Sequence, residues 1–274
     1  MHPDGVGPMN QQVQDHQKAC CADLYAKPVV SWLLGDSFHP GGSELTERLG
    51  RMLDLAPSVH ALDIACGNGT SAILLAKRFG CEVVGIDLAR PLISCARMAA
   101  DRENLGALLD FVPGDAEALP FSEDSFDAIF SECAVSTFPD KHEPAREMAR
   151  VLKPGGRIGF TDVVLANDIV SEILPGWFSQ AACIGGACSA KQYRDIFESA
   201  GFSGWQEKDC PKELPALLRQ VRMRLLALEV AGGIGKINVS GLDLSAAKKI
   251  LAVIEKWVRS GMMSYGIFVA GKEG

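Results

Sequence analysis

The chain has 274 residues, of which 47% are apolar and 22% charged, and its formal net charge is −7 at pH 7. This composition is ordinary for a globular protein of one large domain, and the acidic balance argues against a nucleic-acid partner. The sequence shows no signal peptide and no apolar run long enough to span a bilayer, so we predict a cytoplasmic protein without a membrane partner.

Nine cysteines, an odd number, occur in the chain. Because no secretory signal accompanies them, we interpret them as reduced thiols rather than a disulfide framework. Cys183 and Cys188 are five residues apart with no histidine and no further close cysteine pair nearby. That spacing is a poor zinc pattern, so we predict no metal site.

Helical patterns come first along the chain. Residues 12–24 have helical spacing, and Ser43 is a suitable N-cap for a second helix over residues 44–55. The segment between them carries Tyr25, Trp32 and, in a glycine-containing loop, His39.

A short apolar run at residues 61–65 predicts a buried parallel strand, and a helical pattern follows at residues 71–79. The turn between them contains Gly67 and Gly69, which let the backbone bend tightly and approach a ligand closely. It opens onto a helix N-terminus, which favours an anionic group. This turn predicts a ligand site.

The next predicted strand, residues 81–87, ends in an acidic residue. Asp87 lies about 20 residues past the glycines, where a carboxylate accepts hydrogen bonds from ribose hydroxyls. A dinucleotide-binding fold shares this pattern, but Ala72 stands where the third glycine of that fingerprint belongs.

Strands and helices continue to alternate, with strands predicted at residues 109–113, 125–132 and 157–162. The helices between them are predicted at residues 92–101, with Pro91 in the first turn, and at 142–152. Such alternation predicts a mainly parallel sheet with helices on both faces, whose ligands bind at the carboxyl ends of the strands. The candidate residues at those ends are Gly67, Asp87, Asp115 and Glu132.

In this order, residues 45–165 closely resemble class I S-adenosylmethionine (SAM)-dependent methyltransferases. The resemblance implies a Rossmann-like, seven-stranded, mostly parallel sheet and SAM as the cofactor. It implies that the glycine turn holds the methionine part of SAM, with Asp63 helping to fix the turn and the amino group. It also implies that Asp87 binds the ribose and that Asp115 and Ala116 flank the adenine. The predicted cofactor-binding residues are Asp63, Ala65, Gly67, Gly69, Thr70, Asp87, Leu88, Asp115, Ala116 and Glu132.

The resemblance also suggests a division of the chain into three parts. Residues 1–44 correspond to an N-terminal extension or lid, in which Tyr25, Trp32 and His39 either line the site or simply pack. Residues 45–165 correspond to the SAM-binding core. Residues 166–274 correspond to substrate-side helices and the last two strands, the final one antiparallel.

In the second half, residues 183–202 are similar to the matching stretch of arsenite methyltransferases. That similarity implies that Cys183 binds trivalent arsenic, with Cys210 as a plausible second thiolate. Trivalent arsenic is thiophilic and carries its own lone pair, so catalysis would consist mainly of in-line positioning. The family usually has a further cysteine in the helix after the SAM turn, where residues 71–73 are Ser, Ala and Ile here. The alternative for Cys183 is packing in a glycine-rich turn.

Three functions remain open from the sequence. The first is methyl transfer to a small soft acceptor such as trivalent arsenic or a thiol. The second is O-, N- or C-methylation of an organic molecule, for which Glu132 and His39 are the candidate general bases. The third is SAM binding without turnover. Cys133, next to Glu132, either packs beside the cofactor or faces the substrate. The protein is expected to be a monomer or a homodimer.

Overall fold

The computed structural model describes residues 18, 22–23, 25–35, 37–166, 186–233 and 244–274. The sequence pattern also predicts helices at residues 167–174 and 177–182, but these residues lie outside the described part of the chain, and so does Cys183. Within the helix predicted at residues 12–24, residues 18, 22 and 23 are helical, and so is the following Tyr25.

Seven strands form one sheet in the order β3-β2-β1-β4-β5-β7-β6. They are β1 His60–Ile64, β2 Glu82–Asp87, β3 Leu109–Pro113, β4 Phe126–Glu132, β5 Leu152–Leu165, β6 Phe202–Asp209 and β7 Met263–Lys272. Strands β1 to β5 pair in parallel, and β7 is antiparallel to both β5 and β6. The predicted seven-stranded, Rossmann-like sheet is confirmed. Strand order reverses between β1 and β4, which is where such sheets bind ligands.

Helices cover both faces of this sheet, as predicted. Eight α-helices have defined bounds: α1 Pro28–Leu34, α2 Gly42–Met52, α3 Thr70–Phe79, α4 Arg90–Arg102, α5 His142–Val151, α6 Ala190–Ser199, α7 Glu213–Gly233 and α8 Leu244–Arg259. One apolar core includes buried residues of α2, α3, α4, α7 and α8, and the other includes residues of α5 and α6. None of the helices in the described part of the chain is long and apolar enough to cross a membrane.

The helix-start predictions had mixed outcomes. The sequence also predicts a helix over residues 190–200 with Ser189 as its N-cap, and Ser189 does cap α6, because its hydroxyl accepts from the Gln192 N–H while the Gln192 side chain accepts from the Ser189 N–H. Pro91 lies in the first turn of α4, also as predicted. The Ser43 prediction is wrong, because α2 already begins at Gly42 and its N-cap is Gly41.

Strand β5 is longer than the predicted residues 157–162 at both ends. At its start, Phe126 pairs with Leu152 but Ala128 pairs with Arg157, so the extra residues form a bulge. At its end, the strand continues to Leu165 because β7 pairs with it there. The partner strand, which is distant in the sequence, therefore sets the length of β5.

Asp162, in β5, is fully buried, and its carboxylate accepts the backbone N–H groups of Ser136 and Val163 at 2.8 and 2.7 Å. Burial raises its pKa to about 6 despite these donors. Between pH 4 and 6 the folded protein therefore binds this proton more tightly than the unfolded chain does. The free energy of unfolding should then fall by up to roughly 3 kcal/mol as pH rises through this window.

Urea unfolding of the Asp162→Asn variant at pH 4.5 and 7.5 tests this prediction. The free energy of unfolding of wild type minus that of the variant should be larger at pH 4.5 than at pH 7.5, because the variant lacks the titrating group. Asp101→Asn, which alters an exposed carboxylate on α4, is the control and should retain the wild-type pH dependence. Identical pH profiles for all three proteins would contradict the argument.

Candidate active site

The turn after β1 is shaped by residues in the left-handed region, with φ values of 57° at Ala65, 55° at Gly67 and 78° at Gly69. A Cβ on Gly69 would lie 2.8 Å from both Ala96 Cβ and Phe111 Cζ, so no side chain fits there. Gly69 is also the N-cap of α3. The glycine at 69 is required by close packing against α4 and β3, and the one at 67 lies on the ligand side.

Asp87 ties this turn to the neighbouring strand. Its Oδ2 accepts the Gly67 N–H at 2.8 Å, and its Oδ1 accepts the Ala89 N–H at 2.8 Å. Burial raises its pKa, and the two N–H donors oppose that rise. Each oxygen keeps a further lone pair for a ligand hydroxyl. Sequence reasoning found the position of Asp87 but missed its role in holding the glycine turn.

A main pocket lies at the carboxyl ends of β1 to β4. Seven of the ten predicted cofactor residues line it: Ala65, Gly67, Asp87, Leu88, Asp115, Ala116 and Glu132. Residues that the sequence did not single out also line it, among them Ile86, Leu92, Thr137 and Phe138. Asp63 and Thr70 instead line a smaller adjoining cavity, together with Gly67 and Glu132. Gly69 lines neither cavity, but it affects their shape because it sets the bend of the turn.

The carboxylates of Asp63 and Glu132 both line the small cavity, and we call this pair the carboxylate corner. Asp63 Oδ2 and Glu132 Oε1 are buried without a hydrogen-bond partner among the described residues. Burial is the main cause that raises the Asp63 pKa well above its usual range, and the negative charges of Glu132 and Asp87 raise it further. Two unsatisfied buried acceptors are costly, so the corner suits a ligand that brings N–H donors and positive charge.

At the other end of the pocket, Asp115 contacts the N-terminal extension. Lys18 Nζ donates to Asp115 Oδ2 at 2.9 Å and lies 2.5 Å from Glu117 Oε2. Tyr25 also lines the pocket, whereas Trp32 is exposed and lies beneath Arg224. Part of the extension therefore covers the site, and Lys18 is a contact that sequence reasoning missed.

His39 does not face the main pocket. Its ring is 6% exposed, with Nδ1 3.1 Å from the Pro40 carbonyl oxygen and Nε2 3.3 Å from Glu132 Oε2. A general base must reach the proton that it removes. His39 does line the small adjoining cavity with Asp63 and Glu132, so its role as the base stays a prediction.

Of the two cysteines predicted to bind substrate, Cys183 lies outside the described residues and Cys210 does not line the main pocket. Cys210 is 1% exposed, burial raises its pKa to about 11, and its Sγ lies 3.9 Å from Arg48 rather than in the pocket. These features do not favour a substrate thiolate at Cys210, whose role stays a prediction. Cys133, with φ of 55°, does line the main pocket beside Glu132. The described residues contain no cluster of three His, Cys, Asp or Glu side chains arranged for a metal ion.

Comparison with known proteins relates this geometry to a family. The profile of the methyltransferase domain matches residues 62–160, from β1 into β5. An arsenite methyltransferase of Aquipseudomonas alcaligenes is 29% identical over 211 residues, which cover 72% of this chain and 60% of that protein. The 27-O-demethylrifamycin SV methyltransferase of Amycolatopsis mediterranei is 35% identical over 123 residues, 45% of each protein. The chain spans about half the length of the curated relatives that it matches.

Among solved structures, phosphoethanolamine N-methyltransferase 2 of Haemonchus contortus, in complex with SAM, superposes with a TM-score of 0.76. The alignment covers 100% of this chain and 62% of that one at 21% identity, a level that shows the shared fold alone. The profile match over residues 62–160 adds a sequence similarity, confined to that part of the chain, to the likeness in fold. Residues 62–160 are therefore similar in sequence to a methyltransferase domain, and they form part of a Rossmann-like sheet with the same fold as that solved methyltransferase.

Proposed function

We propose that the chain is a SAM-dependent methyltransferase whose cofactor lies across the carboxyl ends of β3, β2, β1 and β4. The order of the acidic groups along the sheet carries this proposal: Asp115 follows β3, Asp87 ends β2, Asp63 is in β1 and Glu132 ends β4. Neighbouring strands are about 4.8 Å apart, so these groups form a row. SAM presents its adenine amine, ribose hydroxyls and ammonium group in the same order.

Each group of the row has a matching task. Asp115 accepts from the adenine amine, Asp87 from the ribose hydroxyls, and the carboxylate corner from the ammonium group. The turn at Gly67 and the N-terminus of α3 receive the cofactor carboxylate. SAM supplies a methyl group on a positively charged sulfur, and the protein orients that group toward an acceptor while the N-terminal extension excludes water.

For the acceptor, we propose a small soft atom, trivalent arsenic or a thiol, held through Cys183. The similarity of residues 183–202 to arsenite methyltransferases and the A. alcaligenes relative support this proposal. Burial of Cys210 weakens it, because one expected thiolate is unavailable. The similarly related rifamycin enzyme favours the second candidate, an O-, N- or C-methyltransferase of an organic molecule.

S-adenosylhomocysteine formation should depend on arsenite when purified protein is given SAM and a reduced thiol. Cys183→Ser should abolish this turnover, because the thiolate that holds arsenic is gone. Cys95→Ser, which alters an exposed cysteine on α4, is the matched control and should retain it. Arsenite-independent turnover with organic acceptors would favour the second candidate. SAM binding with no turnover on any acceptor would identify a binding protein.

A further inference from the structure

The carboxylate corner borders a cavity of about 40 Å³, which has room for one small polar group. Asp63 is 2% exposed, and its Oδ2 has no hydrogen-bond partner among the described residues. The side chain of Glu132, on the neighbouring strand β4, is 3% exposed, and its Oε1 likewise has no such partner. Two buried carboxyl groups thus border one small cavity, and each has an oxygen atom that no donor reaches.

The charged groups that act on Asp63 are negative. Burial first, and then the carboxylates of Glu132 and Asp87, keep the pKa of Asp63 far above its ordinary value. The thiol of Cys66, in the adjoining turn, supplies no positive charge, and burial followed by the charges of Asp63 and Asp87 raises its own pKa as well. An ionised Asp63 would therefore lie among negative groups in surroundings that stabilise charge poorly.

Glu132 has polar neighbours that Asp63 lacks. Its Oε2 lies 2.6 Å from Ser71 Oγ and 2.9 Å from Thr46 Oγ, both of which can donate to it, and 3.3 Å from Nε2 of His39. Hydrogen bonds to a carboxylate favour its ionised form, whereas no donor in the described chain reaches Asp63 Oδ2. When two neighbouring carboxyl groups share one proton, the less stabilised carboxylate binds it more tightly, and here that group is Asp63.

We propose that the carboxylate corner holds one proton, on Asp63, before the cofactor binds, and that the ammonium group of the cofactor displaces this proton. The inference rests on the proposed SAM site and adds a chemical event to it. The O–H bond of the Asp63 carboxyl group breaks and its proton passes to the solvent. The ammonium group then donates N–H bonds to the ionised Asp63 and to Glu132. One positive charge replaces another, so the net charge of the corner does not change.

The displacement should occur only with ligands that carry the amino-acid chain. S-adenosylhomocysteine and 5′-methylthioadenosine share adenine, ribose and sulfur, but methylthioadenosine lacks the ammonium group. At pH 6 neither an ordinary carboxyl group nor the ligand ammonium titrates, so a released proton comes from a protein group with a raised pKa. S-adenosylhomocysteine should release about 0.5 to 1 proton per molecule bound, and methylthioadenosine less than about 0.2. The affinity for S-adenosylhomocysteine alone should rise between pH 5.5 and 7, because fewer protons then compete for Asp63.

Calorimetric titration of both ligands at pH 6, in two buffers of different ionisation enthalpy, counts the released protons. Asp63→Asn keeps the shape of the side chain but cannot hold the proton, so it should bind S-adenosylhomocysteine without proton release. His39→Gln should retain the release, and its loss in that variant would locate the proton on the histidine and overturn the proposal. Asp101→Asn, at an exposed carboxylate on α4, is the matched control and should behave as wild type does.

Infrared spectra report on the proton directly, even if Asp63→Asn folds but does not bind ligand. At pH 6 the spectrum of ligand-free wild type minus that of Asp63→Asn should contain a carboxylic acid band. S-adenosylhomocysteine, but not methylthioadenosine, should remove this band from the wild-type spectrum. Absence of the band, its persistence with S-adenosylhomocysteine bound, or equal proton release by both ligands would overturn the inference. Wild type that binds neither ligand would instead overturn the proposed SAM site, on which the inference depends.

Discussion

Asp87→Asn should lower the affinity for S-adenosylhomocysteine by about 100-fold. The Asp87 carboxylate accepts the Gly67 and Ala89 N–H groups with separate oxygens, but an asparagine offers one oxygen and one NH2 group. One buried N–H would then face another donor, and the charge that strengthens the remaining bonds would be lost. Together these losses, at the turn and at the proposed ribose position, should weaken the free energy of binding by roughly 3 kcal/mol.

The measurement is calorimetric titration of the purified variant with S-adenosylhomocysteine, with circular dichroism to establish that the fold is retained. Asp101→Asn removes an acidic charge from an exposed part of α4 and should bind as wild type does. Wild-type affinity in Asp87→Asn would contradict a role of the Asp87 carboxylate in binding this ligand.

Gly69→Ala should lower the free energy of unfolding by about 3–4 kcal/mol. Part of this cost, about 1–2 kcal/mol, is the left-handed backbone at φ of 78°, which disfavours a side chain. The remainder comes from overlap, because the new Cβ would lie 2.8 Å from Ala96 Cβ and Phe111 Cζ. Relief of that overlap requires α4 or β3 to move, which also displaces the turn after β1.

Gly155→Ala separates the two contributions. Gly155 has the same φ of 78°, but a Cβ there would meet nothing within 4 Å. Urea unfolding should show a loss of about 1–2 kcal/mol for Gly155→Ala, and a clearly larger loss for Gly69→Ala. Equal losses would mean that Ala96 and Phe111 move aside from the new Cβ at little cost in free energy.

The sequence predicted the strands at the site well. The predicted strand at residues 61–65 is His60–Ile64 in the structure, and residues 81–87 correspond to Glu82–Asp87. Buried parallel strands are short apolar runs, and glycine and aspartate end them here, so their signals are local. Because parallel strands place their carboxyl ends together, the row from Asp115 to Glu132 also followed from the sequence.

Contacts between distant segments were not predictable. Lys18 and Asp115 are 97 residues apart, and nothing local to either indicates their ion pair. The burial of His39 against Glu132 likewise depends on how α2 packs over the sheet. For Cys210, β6 carries an irregularity between Ser203 and Gln206, which interrupts the alternation that assigns side chains to faces.

The place of β7 between β5 and β6 has a consequence for synthesis on the ribosome. About 100 residues separate Leu165 from Met263, so at typical elongation rates β5 waits roughly 5–20 s for its antiparallel neighbour. Through that interval β5 presents an unpaired edge, and β6 has no strand to join it to the sheet. Holdase chaperones that shield β-strand edges would act on the nascent chain in that interval, and slow codons between the two strands would prolong its exposure to aggregation.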